Sequence, residues 1–189
     1  STSPVMIAVV SYLVNGERVT ARQMAGITVS LAGVLVVLGK GDAITLTRLA
    51  FNVGDLIMLG AMAVWALYTA MLDKRPPINM VSFAAVTFVI AAVLNVPLAA
   101  IELASGAPVS PGSKALAAIA YIAIFPSFLA YLLFNRGVEI IGPTRAGAFM
   151  HLVPLFTAVL AILFLGEQFA AYHALALALI LSGVWLAAR

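Results

Sequence analysis

Residues 146–166 read AGAFMHLVPLFTAVLAILFLG, 21 consecutive positions without an Asp, Glu, Lys or Arg. A helix rises about 1.5 Å per residue, so this run matches the roughly 30 Å hydrocarbon core of a bilayer. Lipid offers no partner to backbone N–H and C=O groups, so such a run in lipid must be helical. The same reading extends outward. Uncharged runs cover 23–39, 56–72, 76–101, 115–135 and 168–188, with lengths of 17, 17, 26, 21 and 21 residues. Each suits a spanning helix, which needs about 20 apolar residues. Residues 1–16 read as the second half of a seventh. Helices are expected near 3–14, 23–39, 53–72, 78–101, 114–135, 143–165 and 170–188. Asn15-Gly16, Gly39 to Asp42, Arg75-Pro76-Pro77, Ser105 to Pro108, Pro111-Gly112 and Gly142-Pro143 supply the turns. The expected fold class is all-α, a polytopic membrane helix bundle with about seven transmembrane helices.

Composition agrees. The chain has 189 residues, 64% hydrophobic and 9% charged. Soluble domains carry about 25% charged residues, so a soluble globular or disordered chain is excluded. A membrane β-barrel would alternate apolar and polar positions, and no such alternation occurs. The net charge of +3 fits basic cytoplasmic loops and calls for no nucleic-acid partner. The chain lacks cysteine, which rules out disulfides, thiolate nucleophiles and Cys-based metal sites. It opens on Ser1 with no charged segment before the first apolar run, so it is expected to be part of a longer protein and not to start with a signal peptide.

An internal repeat emerges at an offset of 150 residues. Pro4, Ala8, Val9 and Leu13 fall on Pro154, Ala158, Val159 and Leu163. Gly16-Glu17 falls on Gly166-Glu167, Ala21 on Ala171, Leu31 on Leu181, and Gly33-Val34 on Gly183-Val184. These are ten identities in 36 positions, with Pro, Gly-Glu and Gly-Val in register. Five helices separate the first copy from the second, and five is odd, so the copies should cross the membrane in opposite directions. The loop after the first copy holds Arg18 and Arg22, whereas 166–172 holds no Lys or Arg. By the positive-inside rule the first loop is cytoplasmic and the second external. The alternation puts Arg18, Arg22, Lys74, Arg75, Arg136, Arg145 and Arg189 inside, with Lys40, Arg48 and Lys114 outside. Inverted repeats are common in secondary transporters, whose substrate site lies between the copies. The expected organisation is therefore 1–39 as the last two helices of a first repeat and 40–189 as a complete second one. Three helices of an expected ten would precede residue 1.

Pro126-Ser127-Phe128-Leu129-Ala130-Tyr131, Asn135-Arg136-Gly137, Gly142-Pro143-Thr144-Arg145-Ala146, Pro154 and Leu165-Gly166-Glu167 together resemble the second EamA repeat. Pro4 to Gly33 resembles the end of the preceding repeat. The EamA family belongs to the drug/metabolite transporter superfamily. The resemblance implies ten helices with both termini cytoplasmic, and export or exchange of small metabolites across a bacterial inner membrane.

Several residues inside spans are candidates for substrate binding. Ser127, Tyr131 and Asn135, at i, i+4 and i+8, share a helix face, and a polar stripe in a span should face protein or water. They read equally well as interhelical hydrogen bonds. Trp65 and Tyr68, with Met58 and Ala61, form a mid-span face; interfacial aromatics would sit at the ends, so a cavity wall is favoured over plain packing. His151 shares a face with Gly147, Pro154 and Ala158. It reads more readily as a satisfied packing histidine than as a proton relay. Pro126 and Pro154 interrupt spans and are candidate hinges. Gly26, Ser30 and Gly33, with Ser182-Gly183, form small faces, read as internal packing ahead of a homodimer seam. Asp55 suits a helix start. His173 is expected to have no specific role, and Glu17 and Glu167 to cap turns.

No catalytic constellation is visible: titratable groups are nearly absent from the spans, and two histidines without nearby carboxylates make no metal site. No cofactor is called for. The expected function is secondary-active transport of a small metabolite, amino-acid-like or drug-like, by alternating access. The alternatives are a membrane-embedded enzyme or a structural membrane subunit. Its partners are the small-molecule substrate, the bilayer, the missing N-terminal helices and, as a further possibility, a second copy.

Overall fold

A computed structural model describes residues 3–42, 52–106, 112–166, 168 and 170–188. Arg48, Glu167, Arg189, Pro108 and Pro111 lie outside the described residues. All described secondary structure is helical. The helices are α1 (Ser3–Asn15), α2 (Ala21–Leu38), α3 (Val53–Met71, ending in a 3-10 turn Leu72–Lys74), α4 (Met80–Ala104) and α5 (Ser113–Ile122). A π-helical segment Ala123–Leu129 leads into α6 (Ala130–Ile141), followed by α7 (Pro143–Phe149), α8 (Leu152–Leu165) and α9 (Ala171–Ala188). Counting α5 to α6 and α7 to α8 as continuous, six spans are long and apolar enough to cross a membrane, and α1 is a shorter apolar helix.

Most large apolar side chains point outward. Leu13 is 73% exposed, Phe164 80% and Leu165 77%. Water would not tolerate such continuous apolar surface, whereas lipid would.

Local chemistry explains where the helices differ from expectation. Arg22 was expected to precede α2, yet α2 begins at Ala21. The Thr20 side chain accepts from the Gln23 backbone N–H, and the Thr20 N–H donates to Gln23 Oε1 at 2.9 Å, forming a capping box. Asn52 and Asp55 build the same device at the start of α3, which bears out the reading of Asp55 as a helix-start residue. The span expected to stop at 135 runs on to Ile141, because Arg136 and Glu139 are compatible with an interfacial helix end. Gly142, with φ +81, and Pro143 then stop it. Pro154 has no N–H to give the Met150 carbonyl. That carbonyl accepts from Val153 N–H at 3.1 Å instead, and the helix is interrupted at Met150–His151.

The chain forms two compact units, Ser1–Lys74 with Val138–Arg189, and Arg75–Gly137. In the first, α9 packs mainly on α2, and α1 packs on α3 and α7. A Cβ on Gly26 would come within 2.6 Å of Gly183 O, one on Gly33 within 2.9 Å of Ile180 N, and one on Gly41 within 2.9 Å of Tyr172 Cβ. The partners descend as the glycines ascend, so α2 and α9 are antiparallel, with backbones in contact where the small faces meet. That bears out the internal-packing reading of Gly26, Ser30, Gly33 and Gly183. Two small clusters flank the crossing, one of Ala8, Ile27, Ala148 and Ala187, the other of Val34, Leu155, Ile180 and Val184. The C-terminal ends of α1 and α3 are tied together: Asn15 Nδ2 donates to Ala70 O at 2.6 Å, and Lys74 Nζ to Val14 O at 3.0 Å. In the second unit, α4 carries Pro97 in its interior, and Phe88 packs on Phe128 and Tyr131.

Features of the first unit correspond at the 150-residue offset. α2 and α9 start and end at equivalent positions, 21 and 171, 38 and 188. α1 and α8 both end at a glycine with positive φ, +67 at Gly16 and +70 at Gly166. Thr20 N–H donates to Gln23, and at the equivalent positions Ala170 N–H donates to His173 Nδ1 at 3.0 Å. His173, expected to have no specific role, therefore satisfies the backbone at a helix start and stacks on Tyr172.

Candidate functional site

The structure distributes the candidate residues over both units. In the first unit, Trp65 and Tyr68 on α3 are half-buried, with ring centroids 5.4 Å apart and planes tilted by 32°. They lie one helical turn apart on the same face, which is what brings the rings together. Thr69 beneath them is fully buried and donates to Trp65 O at 2.8 Å.

His151 sits in the break between α7 and α8 and is 1% exposed. Its Nδ1 lies 2.5 Å from Oγ of buried Ser30 on α2. Ser30 Oγ also donates to Ile27 O at 3.0 Å. Which of Ser30 Oγ and His151 Nδ1 donates in this contact depends on the tautomer of the ring. His151 is thus buried with a hydrogen-bond partner 121 residues away in the sequence. Pro154, the cause of the break, is half-buried.

In the second unit the three polar residues expected on one face have different surroundings. Ser127 lies in the π-helical segment and is exposed, as is Pro126. Tyr131 is half-buried, and its hydroxyl stands 3.4 Å from Thr87 Oγ1. Thr87 Oγ1 also lies 2.8 Å from Ala84 O, and either hydroxyl can be the donor between Tyr131 and Thr87. The Tyr131 ring also meets Phe88 at 5.0 Å. Asn135 is fully buried. A π-turn adds a residue to the helical repeat, so Ser127 loses strict α-register with Tyr131 and Asn135.

Sequence reasoning overlooked three participants. Thr87 was legible only as a hydroxyl in a long apolar run. Ser11 on α1 and Thr144 on α7 are buried, and their hydroxyls have no hydrogen-bond partner among the described residues. Buried unpaired hydroxyls are uncommon and mark places where water or a ligand can enter. No group of three or more His, Asp or Glu suited to a metal occurs among the described residues.

Six apolar spans, lipid-compatible outer faces and a few polar groups inside the helices define a multi-pass membrane protein. The chain belongs to the EamA-like transporter family, whose pattern matches residues 52–189. It is 30% identical over 190 residues to the uncharacterized transporter YyaM of Bacillus subtilis, an alignment covering 96% of this chain and 60% of the relative. It is 30% identical over 189 residues to an uncharacterized transporter of Archaeoglobus fulgidus, covering 98% and 63% respectively. An S-adenosylmethionine/S-adenosylhomocysteine transporter of Chlamydia trachomatis is 27% identical over 174 residues, covering 88% of this chain and 53% of the relative. The chain thus spans about half to two thirds of the length of these relatives. No solved structure matches it. The family and its relatives are transporters by name, which points away from an enzyme.

Proposed function

We propose that the full protein is a secondary-active transporter that exports or exchanges a small metabolite across a bacterial inner membrane by alternating access. Two inverted five-helix repeats carry out the cycle, the first ending near residue 39 and the second spanning 40–189. The observation that supports this reading most is the antiparallel pairing of α2 with α9, whose ends and N-terminal backbone contacts correspond at an offset of 150. Inverted repeats place substrate near the bilayer midplane, and alternating access then rocks one repeat against the other. The relatives are longer than this chain, which leaves room for further helices in the full protein.

The tilted Trp65–Tyr68 pair is a platform for a planar or cationic group of the substrate. Ser127, Tyr131, Asn135 and His151 supply hydrogen bonds. Pro126 and Pro154 act as hinges, since each lies where the regular α-helical ladder is altered. The substrate is a small polar metabolite of the amino-acid or drug-like class, and the chlamydial relative adds nucleoside-bearing amino acids to the candidates.

Counterflow in proteoliposomes tests this reading. The full-length protein should take up labelled amino acids or S-adenosylmethionine saturably, and faster when unlabelled substrate is inside. Chemical conversion without flux would assign an enzyme instead. Absence of flux for the whole panel, with helix content intact, would remove this substrate class.

A further inference from the structure

Two helix contacts in the first unit differ in how they treat buried hydroxyls. Where α2 crosses α9, glycine lets backbone meet backbone, and buried Ser30 bonds both Ile27 O and His151 Nδ1. Where α1 meets α7, Ser11 is 0% exposed and Thr144 1%, and neither hydroxyl has a hydrogen-bond partner among the described residues. These two hydroxyls stand at one level. A Cβ on Gly147 would come within 3.1 Å of Ile7 Cδ1, and one on Gly142 would lie 3.7 Å from Glu17 Oε1, so α1 and α7 are antiparallel. Ser11 lies one turn beyond Ile7, about 6 Å along α1, and Thr144 three residues before Gly147, about 4.5 Å along α7.

Other hydroxyls in the spans bond their own helices. Thr28, Thr69 and Thr157 each donate to the carbonyl four residues back, and Ser30 and Ser182 to the one three back. Ser11 leaves the Ile7 carbonyl unused, and Thr144 follows the Gly142-Pro143 turn with no turn of its own helix behind it. A hydroxyl shut away without a bond is costly, and the cost is lifted only when a polar partner reaches it. The described helices already seal both groups, so a helix packed elsewhere on the molecule does not supply that partner.

We infer that the α1–α7 seam is where the transporter parts during its cycle, and that the α2–α9 crossing is the pivot that stays closed. This rests on the alternating-access reading above, in which α1 belongs to the first repeat and α7 to the second. Parting the seam lets water bond Ser11 and Thr144, so the open form gains bonds that the closed form lacks. Parting the crossing would break the Ser30–His151 bond and separate closely packed small faces, with no gain from lipid. The ties from α1 to α3 do not hold the seam shut. Asn15 and Lys74 are exposed side chains at helix ends, where water can replace their bonds to Ala70 O and Val14 O.

Thiol alkylation tests the inference, since a cysteine reacts as the thiolate and a thiolate needs water. Ser11→Cys, Thr144→Cys, Val34→Cys and Ile180→Cys are made singly in the full-length protein, with any cysteine outside residues 1–189 replaced, and treated with N-ethylmaleimide in liposomes. All four positions are buried, the first two at the seam and the last two beside the crossing. The seam thiols should react at least about tenfold faster than the crossing thiols. Adding Ser11→Ala to Thr144→Cys removes one unpaired hydroxyl, favours the closed seam and should slow alkylation about fivefold. Ser11→Ala alone should raise the melting temperature in detergent, the opposite of Ser30→Ala. Equal alkylation at all four positions, faster reaction at the crossing, or a lowered melting temperature in Ser11→Ala would overturn the inference. Counterflow measured on the same liposomes keeps the two readings apart. Flux with equal alkylation at seam and crossing removes the seam alone, whereas rapid alkylation confined to the seam without flux upholds the seam and removes the transporter reading.

Discussion

Ser30 Oγ lies 2.5 Å from His151 Nδ1, joining the middle of α2 to the break between α7 and α8. The same serine stands where α2 crosses α9, since a Cβ on Gly183 would come within 2.7 Å of Ser30 Cβ. One hydroxyl therefore couples a helix interruption to a close helix crossing. Such bonds in membranes average about 0.6 kcal/mol and reach about 1.7. Ser30→Ala and His151→Ala should each destabilise the protein, and the double variant should cost less than the sum. Unfolding in mixed detergent micelles measures this, and strictly additive losses would show that the contact contributes nothing.

Glycine at the crossing is a steric requirement. A Cβ on Gly183 would sit 2.4 Å from Ser30 N, a backbone atom that cannot rotate away. Gly183→Ala should force α2 and α9 apart and cost about 1–3 kcal/mol, the usual range for overpacking. A Cβ on Gly60 of α3 would have nothing within 4 Å, so Gly60→Ala should be neutral or stabilise by up to about 1 kcal/mol. Thermal melts in detergent read both, and a harmless Gly183→Ala would refute the close packing.

Trp65 and Tyr68 separate a binding role from a packing one. In the full-length protein, Trp65→Ala should cut transport at least tenfold per folded molecule. Trp65→Phe, which keeps a ring over Tyr68, should recover part of it. Normal transport per folded molecule in Trp65→Ala would leave the pair a purely structural role.

The charge distribution predicts orientation. The cysteine-free background allows Arg75→Cys and Lys114→Cys to be made singly. An impermeant maleimide applied to intact cells should label position 114 and spare 75 until the membrane is opened. The reverse pattern would sink the proposed inverted arrangement.

Family membership and the membrane reading were both legible in the chain order of residues. Span length depends only on composition along the run, and a charged residue in lipid is expensive wherever it comes from. Helix ends were less legible, because capping depends on a few side chains: Thr20 with Gln23 moves the start of α2 ahead of Arg22, and Gly142-Pro143 moves the end of α6 beyond Arg136. The π-turn around Pro126 and the break at Met150–His151 were visible as prolines but not as geometries, since the freed carbonyls choose among nearby donors only once neighbouring turns are built.

What the sequence by itself determined is the lipid-spanning helical class, the positions of most spans, and the correspondence at 150 residues; each rests on spacing along one chain. Tertiary structure alone decided that His151 meets Ser30, that Tyr131 meets Thr87, and that Gly26, Gly33 and Gly183 bring two backbones together. Those pairs are 121 and 44 residues apart for the two hydrogen bonds. In lipid, apolar side chains gain nothing by facing one another instead of the hydrocarbon, so hydropathy is silent on which faces meet. The choice falls to close packing of small residues and a few hydrogen bonds, and both require the helices to be already side by side.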